Sequence, residues 1–219
     1  MLNNDLSQQI KRNFPYKPTE EQENAVKSFA EFLFSPSADS VFLMKGYAGT
    51  GKTTLTSALV RTLDSLQRKV ILLAPTGRAA KVFSGYAEHP AYTIHKKIYR
   101  QKVFSNETDN FVANQNLHRN TLFIVDEASM IANEGLSGGH FGSGRLLDDL
   151  VQYVYNGLGC RLMLIGDTAQ LPPIGEEESP ALSVAALQGY GTGSDRVCAY
   201  KVVRQTEGPV SCRMRLPYD

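Results

Sequence analysis

A chain of 219 residues that is 42% hydrophobic and 21% charged can bury a sizeable core as one or two domains. Its net charge of +1 gives no global basic field, so any site for a polyanion has to be a local patch. No apolar run approaches the roughly 20 residues of a membrane span, and Met1 to Tyr16 is polar and lacks the apolar core of a signal peptide. The three scattered cysteines Cys160, Cys198 and Cys212 make neither a disulfide framework nor a zinc pattern, which reads as thiols in a reducing cytoplasm.

Taken in order, residues 1–18 read as a polar arm with prolines at Pro15 and Pro18. Thr19-Glu20-Glu21-Gln22 opens a helix whose apolar residues Ala25, Val26, Phe29, Ala30, Phe32 and Leu33 recur at helical spacing. Val41–Met44 is an apolar strand, and Thr53 to Leu66 is compatible with a helix. Val70–Ala74 is a continuous apolar run, as in a parallel sheet covered on both faces. Pro75-Thr76-Gly77 breaks it, and short helices are expected over Arg78 to Tyr86 and Thr93 to Tyr99.

Residues 100–120 are polar and Asn-rich, with two alternating segments around Asn106-Glu107-Thr108-Asp109, and read as an inserted β-hairpin. Thr121–Val125 is the next buried strand, ending at Asp126-Glu127. Gly135 to Gly144 holds five glycines and reads as a loop. Leu146 to Tyr155 is an amphipathic helix, and Cys160–Ile165 is a core strand ending at Gly166-Asp167. Ser179 to Leu187 is expected to be helical with Pro180 in its first turn, and Arg196 to Val203 to be a further strand. Strands alternating with helices predict a mostly parallel, doubly wound α/β sheet, whose ligands sit at the carboxyl ends of the strands.

The motifs fall at those ends. Gly46-Tyr47-Ala48-Gly49-Thr50-Gly51-Lys52-Thr53 fits G-x-x-x-x-G-K-[ST] in full, between a strand and a helix. Its glycines let the backbone curl so that N–H groups point at an anion, and the helix that follows adds unpaired donors. Lys52 would reach the β- and γ-phosphates of ATP, and the Thr53 hydroxyl would ligate Mg²⁺. Gly46, Ala48, Gly49, Thr50, Gly51 and Thr54 complete the nucleotide cradle.

Asp126 can hold Mg²⁺ opposite Thr53, and Glu127 can orient and deprotonate an attacking water. Gln170, in Gly166-Asp167-Thr168-Ala169-Gln170-Leu171-Pro172-Pro173-Ile174-Gly175, can sense a γ-phosphate without adding charge. Gln22 is open between two readings: an amide pairing with the adenine edge, or the far half of a capping box begun by Thr19. Pro75, Thr76 and Arg78, with Thr93 and His95, place hydroxyl, cationic and imidazole groups where they suit contacts to a single nucleic-acid strand. A solvated helix face is the plainer alternative there.

These wordings, in this order, resemble the motifs of superfamily 1 DNA helicases. Ala74–Ala80, Thr93–His95, Asp126–Met130 and Gly166–Gly175 look most like the RecD-type, 5′-to-3′ branch, over about residues 19–205. The resemblance implies a P-loop NTPase with a RecA-like fold that uses ATP and Mg²⁺ and binds single-stranded DNA. It implies that Gln22 reads adenine, that Asp126 holds the metal and that Glu127 is the base. It further implies that Gln170 couples the γ-phosphate to DNA, and that Thr76, Arg78 and His95 touch the strand. The family's duplex-splitting hairpin would fall at about Arg100 to Asn120, with Phe104 or Phe111 at its tip. Val202-Val203-Arg204-Gln205 resembles the first motif of a second motor domain, whose arginine reaches the γ-phosphate. Only fourteen residues follow Gln205, so residues 206–219 read as a tail and the second motor domain is expected outside this chain. An ATP- and DNA-binding module with little turnover is the alternative function. A small-molecule kinase is a third, and it gives no reason for the Gln170 segment.

Overall fold

The computed structural model describes residues 2–36, 40–101, 111–133, 142–173, 175–176 and 178–190, and the backbone of 197–201. Arg204, Phe104, Ile174, the greater part of the glycine-rich 135–144 stretch and the 206–219 tail lie outside the described residues.

The strands are β1 (Val41–Lys45), β2 (Lys69–Ala74), β3 (Ala91–Thr93), β4 (Tyr99–Gln101), β5 (Phe111–Ala113), β6 (Thr121–Val125), β7 (Arg161–Gly166) and β8 (Val197–Lys201). Six of them form one sheet in the order β3-β2-β6-β7-β1-β8, and every pairing in it is parallel. The helices are α1 (Leu2–Arg12), α2 (Glu20–Phe34), α3 (Lys52–Ser65), α4 (Gly77–Ala87), α5 (Ile94–Ile98), α6 (Leu146–Tyr155) and α7 (Val184–Gln188).

Strand side chains alternate between two apolar layers, as a period of two requires. Phe42, Met44, Val70, Leu72, Leu122, Ile124, Met163 and Ile165 pack with α1 to α4. Val41, Leu43, Ile71, Leu73, Phe123, Val125, Leu162 and Leu164 pack with α5, α6 and α7 on the other face. Both faces are therefore covered, which is why these strands read as unbroken apolar runs. The expected doubly wound α/β sheet is the one observed.

Three expectations change in detail. The stretch read as a polar arm contains helix α1, with Leu6 and Ile10 buried. Two apolar residues four apart are too few to stand out in sequence, but they share one helix face and close over α2 and α3. Lys11 pairs with Glu23, and Asn13 Nδ2 donates to Thr62 Oγ1 at 2.8 Å, which pins the end of α1. Within the helix expected over Ser179–Leu187, Pro180–Leu182 is a 3₁₀ turn, and extended Ser183 separates it from α7. The insert does pair β4 with β5 antiparallel, with Gln101 opposite Phe111. Phe111 packs half-buried against the second apolar layer, so it belongs to the base of the hairpin and not to its tip.

Strand order decides what meets what. Strand β7 lies between β1 and β6, so the loop after β1 and the carboxylates after β6 are two strand spacings apart, about 10 Å. The Gly166-Asp167 turn after β7 sits between them.

Candidate nucleotide and nucleic-acid site

The loop after β1 is bent by Gly49 (φ +76°) and Gly51 (φ +84°), both left-handed, where an L side chain is strained. A Cβ on Gly51 would also collide with the side-chain nitrogen of Gln22. The Gly46 N–H donates to Gly166 O at 3.2 Å, fastening the loop to the end of β7. Lys52 Nζ donates to Gly46 O at 2.6 Å and to Tyr47 O at 2.9 Å, and lies 3.9 Å from Asp167 Oδ2. Lys52 and Thr53 open α3, so both residues stand at the loop together with the first free N–H groups of a 14-residue helix. Ala48 and Gly49 are exposed along the rim of the loop, and Thr50 Oγ1 donates to Tyr47 O at 2.9 Å. Thr54 is half-buried one residue beyond Thr53.

Asp126 closes β6. Its Oδ1 accepts from the Glu127 N–H at 2.9 Å, and its Oδ2 accepts from the Tyr86 hydroxyl at 2.6 Å. Burial pushes the Asp126 carboxyl upward, opposed by the Tyr86 and Glu127 hydrogen bonds and by the Lys52 charge. Burial first, then the Asp126 charge, pushes the Tyr86 phenol well above its ordinary value, so Tyr86 is a donor here. Glu127 has a left-handed backbone (φ +54°, ψ +37°), a strained state for glutamate costing on the order of 1 kcal/mol.

That strain turns the Glu127 carboxylate toward β7. Gln170 Nε2 donates to Glu127 Oε2 at 2.9 Å, and the Ser129 hydroxyl donates to Gln170 Oε1. With its oxygen held by Ser129, the amide has its nitrogen directed at the carboxylate. Asp167 shapes the turn beneath, its Oδ1 accepting from the Ala169 N–H at 2.8 Å. Lys52, Asp126, Glu127 and Gln170 thus converge from three strand ends.

Sequence reasoning singled out those four and passed over Tyr86, Ser129 and Asp167 as participants. Ser129 and Asp167 stood inside motif wordings, but Tyr86 carried no signal. Among the described residues no group of three or more His, Cys, Asp and Glu side chains could hold a metal by itself. The Thr53 hydroxyl and the Asp126 carboxylate are hard oxygen donors of the kind Mg²⁺ takes, with its other positions left to water and phosphate. The residues present therefore fit Mg²⁺ bound together with a nucleotide.

Gln22 forms the capping box: the Thr19 N–H donates to Gln22 Oε1 at 3.0 Å, and the Gln22 N–H to Thr19 Oγ1 at 3.3 Å. Its amide nitrogen nevertheless abuts Gly51, so the cap also places it beside the nucleotide loop.

A second cluster lies at the ends of β2 and β3, which pair Ala74 with Thr93. Thr76 caps α4 by accepting from the Ala79 N–H at 3.1 Å, and Thr93 caps α5 by accepting from the Lys96 N–H at 3.2 Å. Each hydroxyl keeps its proton to donate. Pro75 is half-buried at the strand end, while Thr76, Gly77 and Arg78 are exposed. Half-buried His95 lies 5.7 Å from the Tyr99 ring, and burial lowers its pKa, which favours the neutral imidazole. Tyr99 donates to Asp149 Oδ2 at 2.6 Å, tying α5 and the hairpin base to α6.

A parallel α/β sheet bearing a glycine-bent loop, a basic residue at a helix start and acidic residues two strands away defines a P-loop NTPase domain of RecA-like architecture. A family model described as an AAA domain matches residues 17–208, and the chain belongs to that family. It is 28% identical over 181 residues to an uncharacterized protein of Acanthamoeba polyphaga mimivirus, covering 72% of this chain and 34% of that protein. It is 32% identical over 144 residues to the ATP-dependent RecD2 DNA helicase of Deinococcus radiodurans, covering 65% of this chain and 17% of that one. It is 28% identical over 171 residues to the ATP-dependent DNA helicase dda of Enterobacteria phage T4, covering 76% and 35%. The chain thus spans about a third or less of the length of these relatives. Among the described residues no helix is long and apolar enough to cross a membrane.

Proposed function

We propose that this chain hydrolyses ATP with Mg²⁺ and couples that turnover to single-stranded DNA, as the motor domain of a DNA helicase. The observation that carries the reading is the hydrogen bond from Gln170 to Glu127 beside the Lys52 loop. Glu127 takes a proton from a water whose oxygen bonds to the γ-phosphorus. The bond from that phosphorus to the β,γ-bridging oxygen breaks, and ADP and phosphate leave. Lys52 neutralises charge on the phosphates, and Gln170 keeps the Glu127 carboxylate facing the water. Held by Thr53 and Asp126, Mg²⁺ would supply Lewis-acid stabilisation of phosphate charge.

Pro75, Thr76, Arg78, Thr93 and His95 are assigned to the strand, because they cluster at the neighbouring ends of β2 and β3 and Thr76 and Arg78 face solvent. Translocation and unwinding need a second motor domain closing and opening on the same nucleotide. Arg204 would reach the γ-phosphate from the side of that second domain. A reducing cytoplasm suits the buried free thiol Cys160.

The test is ATP hydrolysis by the purified chain with and without single-stranded DNA. Glu127→Gln is expected to lower turnover by roughly 10²- to 10⁴-fold while ATP still binds. Tight ATP binding with no hydrolysis in the unsubstituted chain, even with DNA present, would instead establish a binding module.

A further inference from the structure

We infer that Tyr86 is a positioning residue for the metal site, which rests on the assignment of Thr53 and Asp126 to Mg²⁺ above. Tyr86 stands in the last turn of α4, between the segments Ala74–Ala80 and Thr93–His95 and outside both. Its hydroxyl donates to Asp126 Oδ2 at 2.6 Å, across 40 residues of sequence. The other carboxylate oxygen accepts from the Glu127 N–H at 2.9 Å. One donor on each oxygen fixes the rotation of the carboxylate and leaves a lone pair on each for a cation or its water.

The ring that carries the hydroxyl is itself held. It stacks on fully buried Phe83, with centroids 5.1 Å apart and planes inclined by 27°. The backbone of Tyr86 reaches the other half of the site. Ser57 Oγ lies 2.9 Å from Tyr86 O and 2.9 Å from Thr53 O, and its single proton serves one of them at a time. Tyr86 therefore contacts Asp126 directly and the Thr53 turn of α3 through Ser57. Hydrogen-bond partners that orient a metal-binding carboxylate matter nearly as much as the carboxylate, and their loss weakens metal binding roughly 10- to 100-fold.

The experiment uses the whole chain with a fluorescent ADP analogue, in Mg²⁺ and in EDTA, and with Mn²⁺ titrated into the ADP complex by electron paramagnetic resonance. Tyr86→Phe keeps the ring and removes the donor, and Asp126→Asn is compared beside it. The expected result is that Tyr86→Phe binds the analogue in EDTA within about twofold of the unsubstituted chain, while Mn²⁺ binds roughly 10- to 100-fold more weakly. If Mn²⁺ affinity holds in Tyr86→Phe but falls in Asp126→Asn, the role of Tyr86 is refuted and the metal assignment stands. If Asp126→Asn leaves Mn²⁺ affinity intact, the assignment fails and the inference goes with it. Loss of analogue binding in EDTA would make Tyr86 a packing residue and would also refute the inference. An unsubstituted chain that does not bind the analogue would remove the nucleotide reading and this inference together.

Discussion

Gln170 Nε2 and Glu127 Oε2 are joined by a 2.9 Å hydrogen bond, although 43 residues of chain separate them. The bond links the end of β7 to the end of β6 and fixes the direction of the Glu127 carboxylate. Ser129 sets the sense of the amide by donating to its oxygen.

Removing this orienting amide is expected to cost turnover and not binding. Gln170→Ala should lower ATP hydrolysis by roughly 10²-fold, with ATP affinity within a few-fold of the unsubstituted chain. Ser129→Ala should act in the same direction and more weakly, because the amide remains but loses its fixed sense. Equal losses of affinity and turnover would show that Gln170 binds substrate and does not position Glu127. Steady-state hydrolysis paired with equilibrium ATP binding makes the measurement.

The two roles of Gln22 are separable by one substitution. Gln22→Glu keeps the capping box, since Glu serves at that position as Gln does, but it removes the amide donor. Stability in urea is expected to stay within ~0.5 kcal/mol, while preference for ATP over GTP falls. Gln22→Ala should lose both, with about 1 kcal/mol of stability gone. Unchanged base preference in Gln22→Glu would leave Gln22 a capping residue alone.

Arg78 is exposed beside the Thr76 cap and tests the strand surface. Arg78→Ala should weaken single-stranded DNA binding at every sequence tried. It should also flatten the slope of log affinity against log salt by about 0.7, the value for one phosphate contact on a single strand. An unchanged slope would place the strand elsewhere. Fluorescence anisotropy across a salt series reads both quantities.

Stability should fall on mild acidification. His95 is lowered from 6.5 by burial, and His118 by burial and then by Lys97 and Lys69. Between 6.5 and these lower folded values the unfolded chain binds more protons, so stability rises with pH across that window. Asp126 is raised by burial and has the opposite sign in a window opening upward from 3.8. Comparing chains cancels it: the drop in urea midpoint from pH 7.5 to 5.5 should be smaller in His118→Gln than in the unsubstituted chain. An equal drop in both would show that His118 does not contribute.

Local order was legible wherever its cause was local. The Lys52 loop needs only neighbouring glycines and a helix start, and the Thr19–Gln22 box closes within four residues. The apolar runs of β1, β2, β6 and β7 follow from burial on both faces of a parallel sheet. Helix α1 was not legible, because Leu6 and Ile10 are informative only once α2 and α3 offer a surface to cover.

What residues 46–54, 126–127 and 166–170 contain could be read along the chain; which atoms touch could not. Contact depends on strand order, and β7 enters between β1 and β6 only after the crossovers are made. That insertion sets Asp167 beside Lys52 and Gln170 against Glu127, while α4 carries Tyr86 back onto Asp126. Sequence encodes periodicity and short-range hydrogen bonding. Pairings between residues forty apart arise from packing two apolar layers on one sheet, and the folded chain alone supplies them.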